Sequence, residues 1–191
     1  MKELLKKTIQ NVYAISEDEW NYFSEYWQPF SAKRKEIITY PNTQEKYLYF
    51  VVDGIQRVYY LDEQDREATL VFTYSPSFGG VLDSLMLEQP SKYYYETLTS
   101  SQFLRISHTH LLDCTKKHPN IEFFINKGIT QALSGLLERL VELQSFSSEE
   151  KFKKLLQRSP HIIQLVAHKY LANYLGIDVS SFSRLFNSIK I

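Results

Sequence analysis

Lys46-Tyr47-Leu48-Tyr49-Phe50-Val51-Val52, then Asp53-Gly54, then Ile55-Gln56-Arg57-Val58-Tyr59-Tyr60-Leu61: two runs rich in aromatic and β-branched residues meet at an Asp-Gly pair. Such side chains suit a pleated surface and Asp-Gly is a tight-turn signal, so the segment reads as two closely joined strands. Asp62-Glu63-Gln64-Asp65 follows as a polar turn and residues 68–74 as a further strand. Ser75-Pro76-Ser77-Phe78-Gly79-Gly80 breaks the pattern, and residues 93–98 and 102–106 complete the set. Short strands at this regular spacing predict an antiparallel barrel or jelly roll rather than parallel βαβ units.

Helical signals flank these strands. Ser16-Glu17-Asp18-Glu19 has the form of a capping box ahead of Trp20, Phe23 and Trp27, with Pro29 ending that helix. Leu111 and Leu112 suggest a short helix that stops near His118-Pro119. From about 120 to 146, Ile121, Ile125, Ile129, Ala132, Leu136, Leu140 and Leu143 recur at three- and four-residue steps, a helix of about 40 Å. A stripe that long suits packing against a second copy, as in a coiled coil; the alternative is packing on its own barrel. Beyond a polar hinge at 145–150, residues 152–158, 160–175 and 179–190 read as three more helical stretches. The predicted class is α+β: an antiparallel jelly-roll barrel over 1–118, a long dimerisation helix over 119–146 and a small helical domain over 147–191.

Hydrophobic residues make up 43% of the 191 residues, enough for a packed core. No apolar run reaches the length that spans a bilayer, and Met1-Lys2-Glu3-Leu4-Leu5-Lys6-Lys7 lacks a signal-peptide core, so a cytoplasmic protein is expected. Net charge is zero but unevenly placed. From residue 151 onward seven Lys and Arg face one acid, Asp178, a net of +6 that leaves residues 1–150 at about −6. A basic tail on an acidic body suggests a polyanionic partner, against the alternative of a solvated basic helix.

The segment from His168 to Leu185 gives that partner a mechanism. Ala172 is small where two helices cross, Gly176 can take the left-handed conformation that ends the first, and Ile177 can plug the turn. Asp178 suits the N-cap of the second, its oxygen meeting the N–H of Ser180 or Ser181. Phe182 and Leu185 point back at the first helix, leaving Val179, Ser180, Ser181, Ser183, Arg184 and Asn187 variously outward. With Lys169 and Lys190 these are the candidate contacts to double-stranded DNA. Short polar groups fit the major groove and Arg grips guanine O6 and N7. A glycine-joined helix pair also occurs as a plain core corner.

The order of elements resembles the Crp/Fnr family of transcription regulators over about residues 15–190. The likeness rests on Tyr47 to Gly54 followed by Arg57-Val58-Tyr59, on Phe78-Gly79 before a short helix, and on Leu171-Ala172, Leu175-Gly176-Ile177 and Ser183-Arg184. It implies a cyclic-nucleotide-binding-type jelly roll, a C-terminal helix-turn-helix and a homodimer on a palindromic operator with half-sites about 34 Å apart. Members that bind cyclic AMP follow Phe-Gly with a Glu that holds the ribose; here that residue is Gly80. Their Arg-Ser or Arg-Thr pair, whose Arg meets the phosphate, aligns with Ser91 and Lys92. Losing two charge-assisted contacts of about 1.5–3 kcal/mol each predicts no useful binding of cyclic AMP. Phe78, Gly79, Gly80, Ser91, Lys92 and Tyr93 remain candidates for some other small-molecule effector. The run Tyr93-Tyr94-Tyr95 either lines such a pocket or fills the barrel with rings.

Other chemistry is not signalled. His108, His110 and His118 fit no standard metal spacing, the single Cys114 permits no Cys-rich metal site, and Gly79-Gly80 lacks the rest of a phosphate loop. No convergent acid–base pair is evident, so neither an enzyme nor a cofactor is expected. The alternative to a DNA-binding regulator is a small-molecule sensor or protein-interaction module, favoured if the C-terminal basic residues turn out to be scattered.

Overall fold

In the computed structural model, which describes residues 1–188, the two runs around Gly54 belong to different sheets. The chain opens with helices α1 (Lys2–Val12) and α2 (Glu17–Glu25). Eight strands follow among the described residues: β1 (Gln28–Ala32), β2 (Ile37–Thr39), β3 (Tyr47–Asp53), β4 (Ile55–Leu61), β5 (Glu67–Tyr74), β6 (Ser77–Gly79), β7 (Tyr94–Thr97) and β8 (Ser101–Ser107). Helix α3 (Leu82–Leu87) lies between β6 and β7. Pairing is antiparallel and nested, β1 with β8, β2 with β7, β3 with β6 and β4 with β5. That nesting is the jelly-roll order.

The strands form two four-stranded sheets, β1-β8-β3-β6 and β2-β7-β4-β5, so the expected jelly-roll barrel takes the form of two sheets that do not close on each other. The physical reason is visible at Asp53-Gly54. The turn exists, but β3 and β4 do not pair with each other: β3 pairs with β6 and β8, and β4 with β5 and β7. The pair is a corner between sheets. Gly54 has φ +92°, and a Cβ there would collide with Ser101 Oγ and lie 2.6 Å from the Ser100 carbonyl oxygen. Only glycine fits both the dihedral and the space.

Side chains alternate across each sheet as strand geometry requires. Leu48 and Phe50 of β3 face the helical side, packing with Phe23, Trp27, Leu104 and Phe124. Tyr49 and Val51 face the other sheet, packing with Val58, Tyr95 and Phe103. The capping box forms: Glu19 N–H donates to Ser16 Oγ at 3.2 Å, and Ser16 N–H to the Glu19 carboxylate at 2.8 Å. That helix ends at Glu25, not at Pro29, which sits in edge strand β1 opposite Leu104.

After β8 come α4 (His108–Lys117) and the 27-residue α5 (Pro119–Ser145). The apolar stripe of α5 divides. Ile121, Phe124 and Ile125 are buried on the chain's own core, whereas Leu133, Leu136, Leu137, Leu140, Val141 and Leu143 are exposed. Four helices follow among the described residues: α6 (Ser148–Arg158), α7 (Ile162–Leu165), α8 (His168–Leu175) and α9 (Val179–Ser188). Phe152, Leu155, Ile162, Leu171, Leu175 and Phe182 give them a shared core, which is continuous with Ile55, Phe72 and Tyr74 of the second sheet.

Candidate functional site

Helices α8 and α9 meet at Gly176, whose φ of 62° and ψ of 37° are left-handed. Ala172 is fully buried at their crossing, and Ile177 packs against the same core. Asp178 Oδ1 accepts the Ser181 N–H at 2.8 Å, the anticipated N-cap bond, and the Ser180 and Ser181 hydroxyls also donate to its carboxylate. Those donors hold its pKa well below the usual range. Phe182 is buried edge-on to Phe152, with ring centroids 5.3 Å apart. At about 100° per residue, Val179, Ser183, Asn187, Ser180 and Arg184 fall in one arc of about 140°, away from Phe182 and Leu185. Val179, Ser180, Arg184 and Asn187 are exposed; Ser181 and Ser183 are half-buried. Arg184 donates to Ser181 Oγ at 3.0 Å. Lys169 is exposed on α8 with its Nζ 4.7 Å from the Tyr170 ring, and Lys190 lies outside the described residues.

The basic tail is less basic than the cut at residue 150 suggests. Helix α6 begins at Ser148 and carries Glu149 and Glu150, so from there seven Lys and Arg face three acids, a net of +4. Lys153 pairs with Glu149, Arg158 pairs with the buried Glu142, and Lys151 is buried. The cations that stand exposed without an acid partner among the described residues are Lys154, Lys169 and Arg184.

The six sensor residues do not converge on one cavity. Phe78 points to the helical side, against the rings of Trp27, Phe50 and Phe124. A Cβ on Gly79 would collide with the Tyr95 hydroxyl. Gly80, at φ +109°, lies over Tyr49 and the Glu45 carboxylate. Ser91 is buried in a local turn, its hydroxyl bonded to both the N–H and C=O of Tyr93. Lys92 is exposed, and Tyr93 packs on the inter-sheet core. The fully buried Tyr95 fills the space between the sheets, while Tyr94 stacks on Tyr59 at 4.8 Å on the opposite face.

Sequence reasoning missed Glu45. It is 3% exposed and accepts four bonds, from Thr39 Oγ1 at 2.5 Å and from the N–H groups of Lys46, Tyr47 and Val81. Val81 begins α3, so an internal carboxylate already occupies the backbone donor beside Gly80. Burial pushes the Glu45 pKa up despite those bonds. An acid in a polar loop carries no sequence mark that it will be buried.

Also unforeseen is the junction of α8 with the second sheet. Asn173 accepts the Thr69 N–H at 2.5 Å and donates to the Glu67 carbonyl at 2.6 Å, bonding the free edge of β5 as a strand's peptide group would. Arg57 lies between the rings of Tyr59 (4.0 Å) and Tyr170 (3.9 Å) and pairs with Glu67 and Glu96. The Tyr74 hydroxyl bonds Ser159 Oγ, and Arg139 of α5 donates to the Tyr174 carbonyl. Elsewhere, Cys114 is buried, which pushes its thiol pKa to about 11. No helix among the described residues is long and apolar enough to cross a membrane.

Comparison with known proteins fits this geometry. Residues 29–118 match the model of the cyclic nucleotide-binding domain. A search of curated proteins finds no match. Among solved structures, FixK2 from Bradyrhizobium japonicum is similar with TM-score 0.76 at 15% identity, over 84% of this chain and 83% of that one. The c-di-GMP responsive global regulator CLP from Xanthomonas campestris gives 0.70 at 16%, over 90% of each chain. A transcriptional regulator assigned to the Crp/Fnr family from Eubacterium rectale gives 0.70 at 18%, over 91% and 82%. Residues 29–118 thus match the cyclic nucleotide-binding domain, within a chain whose structural neighbours include Crp/Fnr-type regulators.

Proposed function

We propose that this chain is a cytoplasmic, homodimeric transcription regulator of Crp/Fnr type, in which α8 and α9 act as the helix-turn-helix and the sensor half does not respond to cyclic AMP. The working division is sensor 1–118, dimer helix 119–146 and DNA-binding domain 147–191. The observation that carries the reading is the α9 arc. Val179, Ser180, Ser183, Arg184 and Asn187 stand together on one side of a helix that Phe182 and Leu185 anchor by the other. Short side chains near its N-terminus let the helix approach base edges, Val179 can meet a thymine methyl, and Arg184 can read guanine.

The exposed aliphatic residues of α5 support the dimer. Fully burying a Leu is worth about 1.5–3 kcal/mol, so six half-exposed side chains from each of two copies supply roughly 10 kcal/mol before the cost of association. The filled inter-sheet space, Gly80 in place of Glu, and the Glu45 carboxylate on the Val81 N–H support insensitivity to cyclic AMP. The Xanthomonas neighbour is c-di-GMP responsive, so a regulator of this fold need not sense cyclic AMP.

Selection of bound sequences from a random duplex pool tests the reading. The wild type should enrich a palindrome, and Arg184→Ala should relax one base pair per half-site at a cost of about 1–3 kcal/mol. Salt-independent retention without enrichment would sink it. One observation favours the second reading, a protein-interaction module: Arg158 and Lys153 are paired with acids rather than free for phosphates. The same selection separates the two.

A further inference from the structure

A crevice of about 330 Å³ opens between β1, β2 and the start of β3, with Arg105 of β8 in its wall. Its volume lies in the range of small-molecule sites. The Arg105 guanidinium is held between two rings, 4.3 Å from the centre of Phe30 and 4.2 Å from that of Tyr47. Its Nε is buried and has no hydrogen-bond partner. The contrast with Arg57 is direct. Arg57 is met by two carboxylates, whereas Arg105 forms no ion pair among the described residues. Glu45, which also borders the crevice, has both oxygens engaged by Thr39 and by backbone N–H groups.

The Arg105 Nε is closed off from the crevice, so the Nη groups are the donors a ligand would meet. Their guanidinium has no carboxylate of its own among the described residues, a lack that ring faces offset only in part. Its planar fork matches a carboxylate bidentately. Ile38, packed on the same inter-sheet cluster as Phe30 and Tyr47, gives the crevice an apolar wall. Glu36, Glu45 and Lys46 border the same space, and with Arg105 the four formal charges cancel, which favours a monoanion over a dianion. We propose that the crevice binds a small apolar monocarboxylic acid, its carboxylate on Arg105 and its body along Phe30, Ile38 and Tyr47. This rests on reading the sheet half as a small-molecule sensor and names the class of its effector. The crevice adjoins Gly80, whose neighbours Glu45, Tyr47 and Tyr49 also line it, but Gly79 and Gly80 are not themselves part of its wall.

The test is calorimetric titration of the full chain, free of DNA, with benzoate, phenylacetate and hexanoate, and with inorganic phosphate and acetate as controls. At least one apolar acid should bind saturably and more tightly than either control. Arg105→Gln should abolish binding. Arg105→Lys, which keeps the charge but loses the fork, should weaken it by about tenfold or more. Ile38→Trp, which narrows the crevice from its apolar wall, should also abolish it while leaving Arg105 and the thermal transition in place. No saturable binding by any of the three acids overturns the proposal, as does equal affinity for phosphate or unchanged binding in a folded Arg105 variant. Duplex selection stays separate: a palindrome enriched without acid binding removes this site and leaves the regulator, and acid binding without enrichment does the reverse.

Discussion

Replacing Asn173 by Ala should detach the edge of β5 from α8, at a size the geometry allows to be worked out. β5 ends the second sheet, so its outward N–H and C=O groups have no strand partner on that side. Asn173 satisfies one of each, at 2.5 Å from Thr69 N and 2.6 Å to Glu67 O. Thr69 is buried, so truncation leaves its N–H unsatisfied at about 1–3 kcal/mol. The Glu67 carbonyl belongs to a half-exposed residue that water can reach, so losing its donor costs about 0.5–1.5 kcal/mol. Alanine returns about 0.5 kcal/mol of helix propensity, which leaves a net loss of about 1–4 kcal/mol. Urea unfolding followed by circular dichroism reads the total. Hydrogen exchange at the Thr69 amide reads the local event, which at 1.4 kcal/mol per tenfold should accelerate by about 5- to 700-fold. A loss below about 0.5 kcal/mol with Thr69 exchange unchanged would refute the reasoning, since β5 and α8 would then be no more than neighbours.

Three further outcomes are expected. Leu136→Asp with Leu140→Asp, at positions 50% and 49% exposed in the single chain, should convert a dimer into monomers by sedimentation without loss of helix; a double variant that still sediments as a dimer places the interface elsewhere. Burial raises the Glu45 pKa above its ordinary 4.5, so the native state holds that proton more tightly than the unfolded chain. Wild-type stability should therefore fall as pH rises from about 4.5 through the raised value, and Glu45→Gln should lose that slope; a wild type that gains stability across this window relative to the variant contradicts the assignment. Gly54→Ala meets both a left-handed φ and the Ser100 carbonyl, and should cost about 3 kcal/mol or more. Gly128→Ala, with open space around it in α5, should instead gain about 0.5–1 kcal/mol in the same unfolding assay.

What was legible in the sequence was whatever has a period or a chemical punctuation mark. Residues 55–61 are recovered as β4 without change, and the Ser16 box, the Gly176 turn and the Asp178 cap are read from single residue types with single mechanical uses. The three-residue strands β2 and β6 are too short to show alternation, and β1 carries a proline that reads as a stop. The α5 stripe shows where apolar residues lie but not against what. One repeat covers Ile121 and Ile125, buried on the chain's own core, and Leu136 and Leu140, which are exposed. The tail's charge was overstated because the cut at residue 150 fell inside α6. Glu45, Arg105 and Asn173 were missed, and Arg57 was read only as part of a motif, for a common reason: each derives its meaning from a partner far along the chain, Val81, Phe30, Thr69 and Tyr170 respectively.

On the reading proposed above, those distant partners bear on how a change in the sheets could reach α9. α8 is held from two sides, by the second sheet through Asn173 and Arg57, and by α5 through Arg139 at Tyr174. α9 touches neither directly through these groups. It is fastened to α8 by Ala172, Gly176 and Phe182, a close-packed contact with little room to slide. On that reading a change in the sheets or in α5 would move α9 by carrying α8, as a rigid step rather than a local rearrangement of the α9 arc. Among these ties, Arg57 is the one whose release leaves its ion pairs intact. It is buried, paired with Glu67 and Glu96, and moving Tyr170 away exposes one face of that pair without breaking it. Because the ion pairs are retained, Arg57 contributes only one ring contact, about 0.5–2 kcal/mol, to the difference between docked and released α8; the two Asn173 bonds, about 1–4 kcal/mol, are the larger part that any effector on the proposed reading would have to offset.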